Sequence, residues 1–134
     1  MSFPHPEITD LNRHYWDGIA AGVLRCQACA DCGHLWLPAS AQCPACLSPR
    51  RAWRDTGGRG RLVSWVWYHR AYAPHLEGRT PYNVAIVALD EGPRLLTNIV
   101  NLADRSLLAE GARVRLCVTV EAGLPLATFE LENG

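Results

Sequence analysis

Two Cys-x-x-Cys pairs, Cys29-Ala30-Asp31-Cys32 and Cys43-Pro44-Ala45-Cys46, stand ten residues apart and constrain this chain more than any other feature. Zn²⁺ takes four thiolates in a tetrahedron at about 2.3 Å, and two such knuckles on facing hairpins supply that set. Gly33 after the first pair relieves the tight backbone of the knuckle. Four thiolates leave no coordination position for water, so the spacing predicts a structural rather than a catalytic ion. A single pair would leave redox chemistry open; two spaced pairs favour metal, with rubredoxin-type iron sharing the ligand set. Cys26 also lies three residues before Cys29. Pairing those two would orphan Cys32, the cysteine with the following glycine, so Cys26 is read as a strand residue. Cys117 sits in an apolar run and is read as a small core residue.

The compartment follows from the same cysteines. No apolar run reaches the ~18 residues of a membrane span, and MSFPHPEITD lacks the basic-then-apolar layout of a signal peptide. A cytoplasmic location is expected, where six cysteines serve as ligands and spare thiols rather than disulfides. Thirteen basic residues balance thirteen acidic ones, and every basic residue is arginine. A neutral chain lacks the basic excess with which nucleic-acid binders displace phosphate counterions. The hydrophobic fraction of 49% is enough for a packed core.

The periodicities divide the chain into three parts: an N-terminal helix in 1–22, a rubredoxin-like zinc ribbon in 23–56 and an OB-fold in 57–134. Residues 9–21 read as the helix, capped by Thr9 and Asp10 and followed by Gly22. Ile8, Leu11, Tyr15, Ile19 and Val23 recur at helical spacing. Tyr15 and Trp16 make this face aromatic, and it can pack on its own domain or dock a partner.

Beyond the ribbon, Gly57-Gly58-Arg59-Gly60 reads as a hinge-like break. Strands are predicted over 61–69, 82–89, 95–100, 113–120 and 125–131, with a short helical or irregular insert near Leu107 and Leu108. Alternation places Val63, Trp65 and Trp67 on one side of the first strand. Five strands with an insert between the third and fourth give the order of an OB-type barrel, so the fold class is mainly β.

Taken together, Tyr15-Trp16-Asp17-Gly18, Cys29 to Gly33, Cys43 to Cys46, Gly58-Arg59-Gly60 and Tyr82 to Asn98 form an ordered series. It resembles the zinc-ribbon plus OB-fold family catalogued as domain of unknown function 35, associated with acyl-CoA metabolism. The resemblance covers nearly the whole chain. It implies a small, non-catalytic partner of a thiolase-like subunit (thiolase, retro-aldolase or acyltransferase) in lipid or aromatic acid degradation. It also implies that the large subunit of such a hetero-oligomer holds the catalytic Cys and His, while the small one shapes the acyl-CoA site.

The residues agree that no enzyme can be assembled here. Histidines at 5, 14, 34, 69 and 75 are scattered, with no nucleophile motif and no phosphate-cradling glycine loop. His34 reads as an exposed ribbon residue. Residues 68–81 make a connection far longer than the usual hairpin of about two to five residues. This loop carries His69, Arg70, Tyr72, His75 and Arg79. These side chains can stack on an adenine or pair with a phosphate, and the loop is read as reaching a partner's active-site mouth; an exposed, solvated loop is the plainer alternative. Asp90 and Glu91 read as a solvated turn.

Two further functions compete with the accessory subunit. OB-folds and zinc ribbons bind single-stranded nucleic acid, with Trp65, Trp67 and Tyr68 as a stacking platform, although the charge balance and plain core packing argue against it. A stand-alone acyl-CoA-binding protein or enzyme lacks its catalytic set.

Overall fold

The computed structural model describes residues 6–70, 78 and 80–132. Helix α1 spans Arg13–Ala20, four residues later than predicted. Thr9 and Asn12 close a turn of their own first: the Thr9 N–H donates to Asn12 Oδ1 at 2.7 Å and the Asn12 N–H to Thr9 Oγ1 at 3.3 Å. Asp10 does not cap the helix but pairs with Arg13 at 3.3 Å in full solvent, where such a pair contributes little. The C-terminus ends as read, on Gly22 at φ +83°, with the Val23 N–H returning to the Gly18 carbonyl at 2.7 Å.

A three-stranded antiparallel sheet follows, made of β1 (Arg25–Cys29), β2 (Leu35–Trp36) and β3 (Arg51–Asp55) in the order β2-β1-β3. Cys26 lies in the central strand and is fully buried, as a strand residue should be. The second sheet contains β4 (Arg59–Tyr68), β5 (Tyr82–Leu89), β6 (Arg94–Thr97), β7 (Arg113–Glu121) and β8 (Leu124–Leu131) in the order β6-β5-β4-β7-β8. A 3-10 turn over Arg105–Leu107 fills the insert between the third and fourth barrel strands. The sheet curls until its edges meet: Ile99 forms a parallel bridge with Phe129, and the Val100 N–H donates to the Phe129 carbonyl at 2.8 Å. The architecture is mainly β and OB-like, with a four-cysteine ribbon and one α-helix among the described residues.

Four details differ from the sequence reading. The third barrel strand stops at Thr97 rather than 100, because the chain beyond it turns from β5 towards β8. Register shifts between Leu62 and Ser64, so a bulge at Val63 breaks the alternation. Leu62 is fully buried and Val63 only half-buried, while Trp65 and Trp67 pack against the core. The Gly57–Gly60 stretch is pinned rather than hinge-like. The Leu116 N–H donates to the Gly58 carbonyl at 2.6 Å, and a Cβ on Gly60 would lie 2.3 Å from the Ala88 carbonyl oxygen. Cys117 is half-buried rather than core, with the Asn101 amide 3.5 Å from its sulfur.

One core joins the parts. Ile19 of α1, Leu24 ahead of β1, and Leu62, Val87, Val114 and Phe129 of the barrel are fully buried in a single cluster. Tyr15 packs against it, so one side of the helix does cover its own domain.

Candidate metal centre and its surroundings

The two knuckles are near copies. The Cys29 N–H donates to the His34 carbonyl and the Gly33 N–H to the Cys29 carbonyl; the Cys43 N–H donates to the Ser48 carbonyl and the Leu47 N–H to the Cys43 carbonyl. The residue after each second cysteine is left-handed, Gly33 at φ +79° and Leu47 at φ +65°. In that conformation backbone N–H groups turn inward onto sulfur: Asp31 and Cys32 on Cys29 at 3.3 and 3.4 Å, Ala45 on Cys43 at 3.4 Å.

The result is four sulfurs within 4.8 Å of one another, the group among the described residues that can hold a metal ion. Cys29 Sγ lies 3.5 Å from Cys46 Sγ and Cys32 Sγ 3.6 Å from Cys43 Sγ. Cys29 and Cys43 are buried, and Cys32 and Cys46 face solvent. The N–H donors of Cys32 and Asp31 pull the Cys29 thiol down to about 6. Cys46 is pushed up to about 12: the Ser48 N–H favours its thiolate, but the neighbouring sulfurs Cys29, Cys32 and Cys43, together with desolvation, outweigh it. Four thiolates in this space repel one another strongly, and a cation at their centre removes that repulsion. The donor set therefore fits a tetrahedral thiophilic metal.

A polar brace links the knuckles from outside. Asp31, inside the first Cys-x-x-Cys, accepts from Ser48 Oγ and from Arg50 through two guanidinium nitrogens, both residues lying just past the second pair. Hydrogen bonds from Ser48 first, then Arg50, hold the Asp31 carboxyl below its usual range. Sequence reading passed over Asp31 as a spacer; its position between two ligands was the available signal.

Of the loop residues singled out from sequence, His69 and Arg70 are exposed immediately after β4. Tyr72, His75 and Arg79 lie outside the described residues. At the base of the loop Tyr68 stacks on Tyr82, ring centroids 5.2 Å apart, and Arg105 lies 4.4 Å over the Trp67 ring. Trp67 is thus sandwiched between core and cation rather than free to stack on a base. His34 is exposed, as expected, and stacks on Trp36. The Asp90-Glu91 turn is not merely solvated. Asp90 receives both guanidinium nitrogens of Arg113 at 2.8 Å, and half-buried Glu91 accepts the Gly57 N–H at 2.9 Å.

Tyr15 and Trp16 meet edge to face at 5.2 Å. Burial raises the Tyr15 hydroxyl above its ordinary value. Both rings line an apolar groove of about 540 Å³ between α1, the ribbon segment Leu37-Pro38-Ala39 and the β6 strand at Arg94-Leu95-Leu96. No helix is long and apolar enough to cross a membrane among the described residues.

Comparison with known proteins accounts for this combination. The family model described as "ChsH2, C-terminal OB-fold domain" matches residues 53–119, half of the chain. A solved chain described as "Ltp2-ChsH2(DUF35) aldolase" superposes with a TM-score of 0.81 at 31% identity, over 95% of this chain and 98% of that one. The chain belongs to the ChsH2/DUF35 family. Its curated relatives include the "3-oxo-4,17-pregnadiene-20-carboxyl-CoA hydratase alpha subunit" of Mycobacterium tuberculosis, 37% identical over 111 residues. They also include a "Probable enoyl-CoA hydratase alpha subunit" of Thermomonospora curvata, 35% identical over 100 residues. The chain matches each through 75% of its own length but spans only 31% of theirs. A "DUF35 domain-containing scaffold protein" of Pyrococcus furiosus is 30% identical over 84 residues, 63% of this chain and 60% of that one. Two of these ChsH2/DUF35 relatives are thus named as subunits of CoA-ester hydratases and one as a scaffold protein, and the fold and cysteine cluster described above are the features this chain brings to that family.

Proposed function

We propose that this chain is the non-catalytic accessory subunit of a thiolase-fold enzyme acting on acyl-CoA thioesters, by carbon–carbon bond formation or cleavage. The observation that carries the reading is the end-to-end match to the DUF35 chain of an aldolase assembly, with almost nothing left over on either side. Cys29, Cys32, Cys43 and Cys46 bind one zinc ion, which orders the ribbon and takes no part in chemistry because the thiolates fill its coordination sphere. The helix (1–22), ribbon (23–56) and OB-fold (57–134) act as one scaffold, supported by the core that runs from Ile19 to Phe129. His69, Arg70, Tyr72, His75 and Arg79 lie along the connection that approaches the acyl-CoA at the shared site. A cytoplasmic setting belongs to the same reading, since four clustered thiolates hold an ion best where thiols stay reduced.

The test is co-expression with each thiolase-fold protein of the same genome in turn, followed by assay of each chain and of each pair against a panel of CoA esters. Co-purification, with turnover only when both chains are present, is the expected result. Full activity of the large chain alone, or no complex at all, refutes the reading.

A further inference from the structure

We infer that the groove between α1, the ribbon and β6 is the seat for an apolar segment of the partner subunit that carries a carboxylate opposite Arg94. The inference rests on the accessory-subunit reading and names the surface through which it acts.

The groove is built from all three parts of the chain. Trp16 comes from the helix, Leu37 and Pro38 from the ribbon, and Leu95 and Leu96 from the barrel. Its volume of about 540 Å³ would suit a small ligand, but Leu96 is 71% exposed at the rim. A pocket for a free ligand encloses most of what it binds; a shelf with a leucine standing in water is completed by another protein surface. The strand supplying that leucine is also the outer edge of its sheet, and the parallel bridge to β8 forms only further along, at Ile99. Arg94 to Leu96 thus lacks a neighbouring strand on one side among the described residues, the condition in which an edge accepts another chain.

Charge selects the occupant. On the barrel Arg59, Arg113 and Arg115 face Glu132, Asp90 and Glu130. Arg94, at the mouth of the groove, has no acidic partner among the described residues. A guanidinium beside an apolar floor favours an apolar segment interrupted by an aspartate or glutamate. The arrangement also ties the metal to assembly: one wall, Leu37-Pro38-Ala39, follows β2 of the ribbon, so loss of the ion removes that wall.

The chain contains no lysine, which allows a direct test in the co-expressed complex. In Arg94→Lys the introduced amine is the one side-chain amine in the chain. Carbodiimide treatment should then give one cross-link above the wild-type background, mapping to a partner peptide in which an acidic residue is flanked by apolar ones. Leu96→Asp, a change at an exposed position, should weaken the wild-type complex about tenfold or more. A complex that forms normally while Arg94→Lys yields no new cross-link and Leu96→Asp binds as wild type does overturns this inference alone. A cross-link between two copies of this chain overturns it as well. Failure of the wild-type chains to associate overturns the accessory-subunit reading and this inference with it.

Discussion

The side chain of Asn83 pairs with the backbone of Ile99 on both sides: its Nδ2 donates to the Ile99 carbonyl at 2.9 Å and its Oδ1 accepts the Ile99 N–H at 2.7 Å. The pair is buried, and it stands in for the strand ladder where the chain leaves β5 to meet β8. Ile99 can bridge to Phe129 because Asn83 satisfies the backbone groups the ladder has given up.

Replacing Asn83 with leucine leaves one buried donor and one buried acceptor without partners. Each costs about 1–3 kcal/mol, so Asn83→Leu should lose about 2–6 kcal/mol in urea unfolding of the zinc-loaded protein. A loss below about 1 kcal/mol would mean that the barrel seam closes without this residue.

The pairing also marks where sequence reading stops. The strand 82–89 was legible to the residue because its alternation and flanking turns agree. The third strand was overextended because Leu-Leu-Thr-Asn-Ile-Val is β-prone on both sides of Asn98, and nothing local says that Asn83, far back in the chain, captures Ile99. The metal centre was legible because ligand spacing is a local constraint. The brace across it, Asp31 to Ser48 and Arg50, spans nineteen positions and has no local signature. The groove joins three parts of the chain, and only the helix contribution, Tyr15 and Trp16, carried a hint.

The Asp90–Arg113 pair makes a pH-dependent contribution of known sign. Arg113 hydrogen bonds, then its charge, hold the Asp90 carboxyl below its ordinary 3.8. A carboxyl depressed in the folded state stabilises above its unfolded pKa, and that contribution is lost as pH falls through the folded value. The stability difference between wild type and Asp90→Asn should therefore be constant from neutral pH to about 5 and shrink below 3.8. Parallel urea titrations at several pH values read it out, using the difference because acid also protonates the thiolates. A gap that widens in acid contradicts the assignment.

Leu47 occupies in the second knuckle the left-handed position that Gly33 occupies in the first, at φ +65° with its side chain 68% exposed. A side chain with a Cβ is strained there by about 1 kcal/mol or more, while an exposed leucine gains little by burial. Leu47→Gly should therefore slow the transfer of zinc to a competing chelator without changing stoichiometry. Faster release would show that Leu47 makes contacts worth more than the strain.

The sharpest test of the metal centre compares two neighbouring cysteines. Cys29 contributes a sulfur to the cluster, whereas Cys26 is fully buried in the same strand and belongs to no metal-ligating group among the described residues. Cys29→Ser replaces a thiolate with a poor zinc ligand, and because such ions supply folding energy to their ribbons, the variant should fall well below one zinc per chain by elemental analysis. The same variant should lose partner assembly, since the ribbon wall of the groove goes with it. Cys26→Ser should keep one zinc per chain while losing about 1–3 kcal/mol for a hydroxyl placed in an apolar strand interior. Equal zinc content in the two variants would refute the four-sulfur assignment, and Cys29→Ser that still folds and assembles would refute the structural role of the ion.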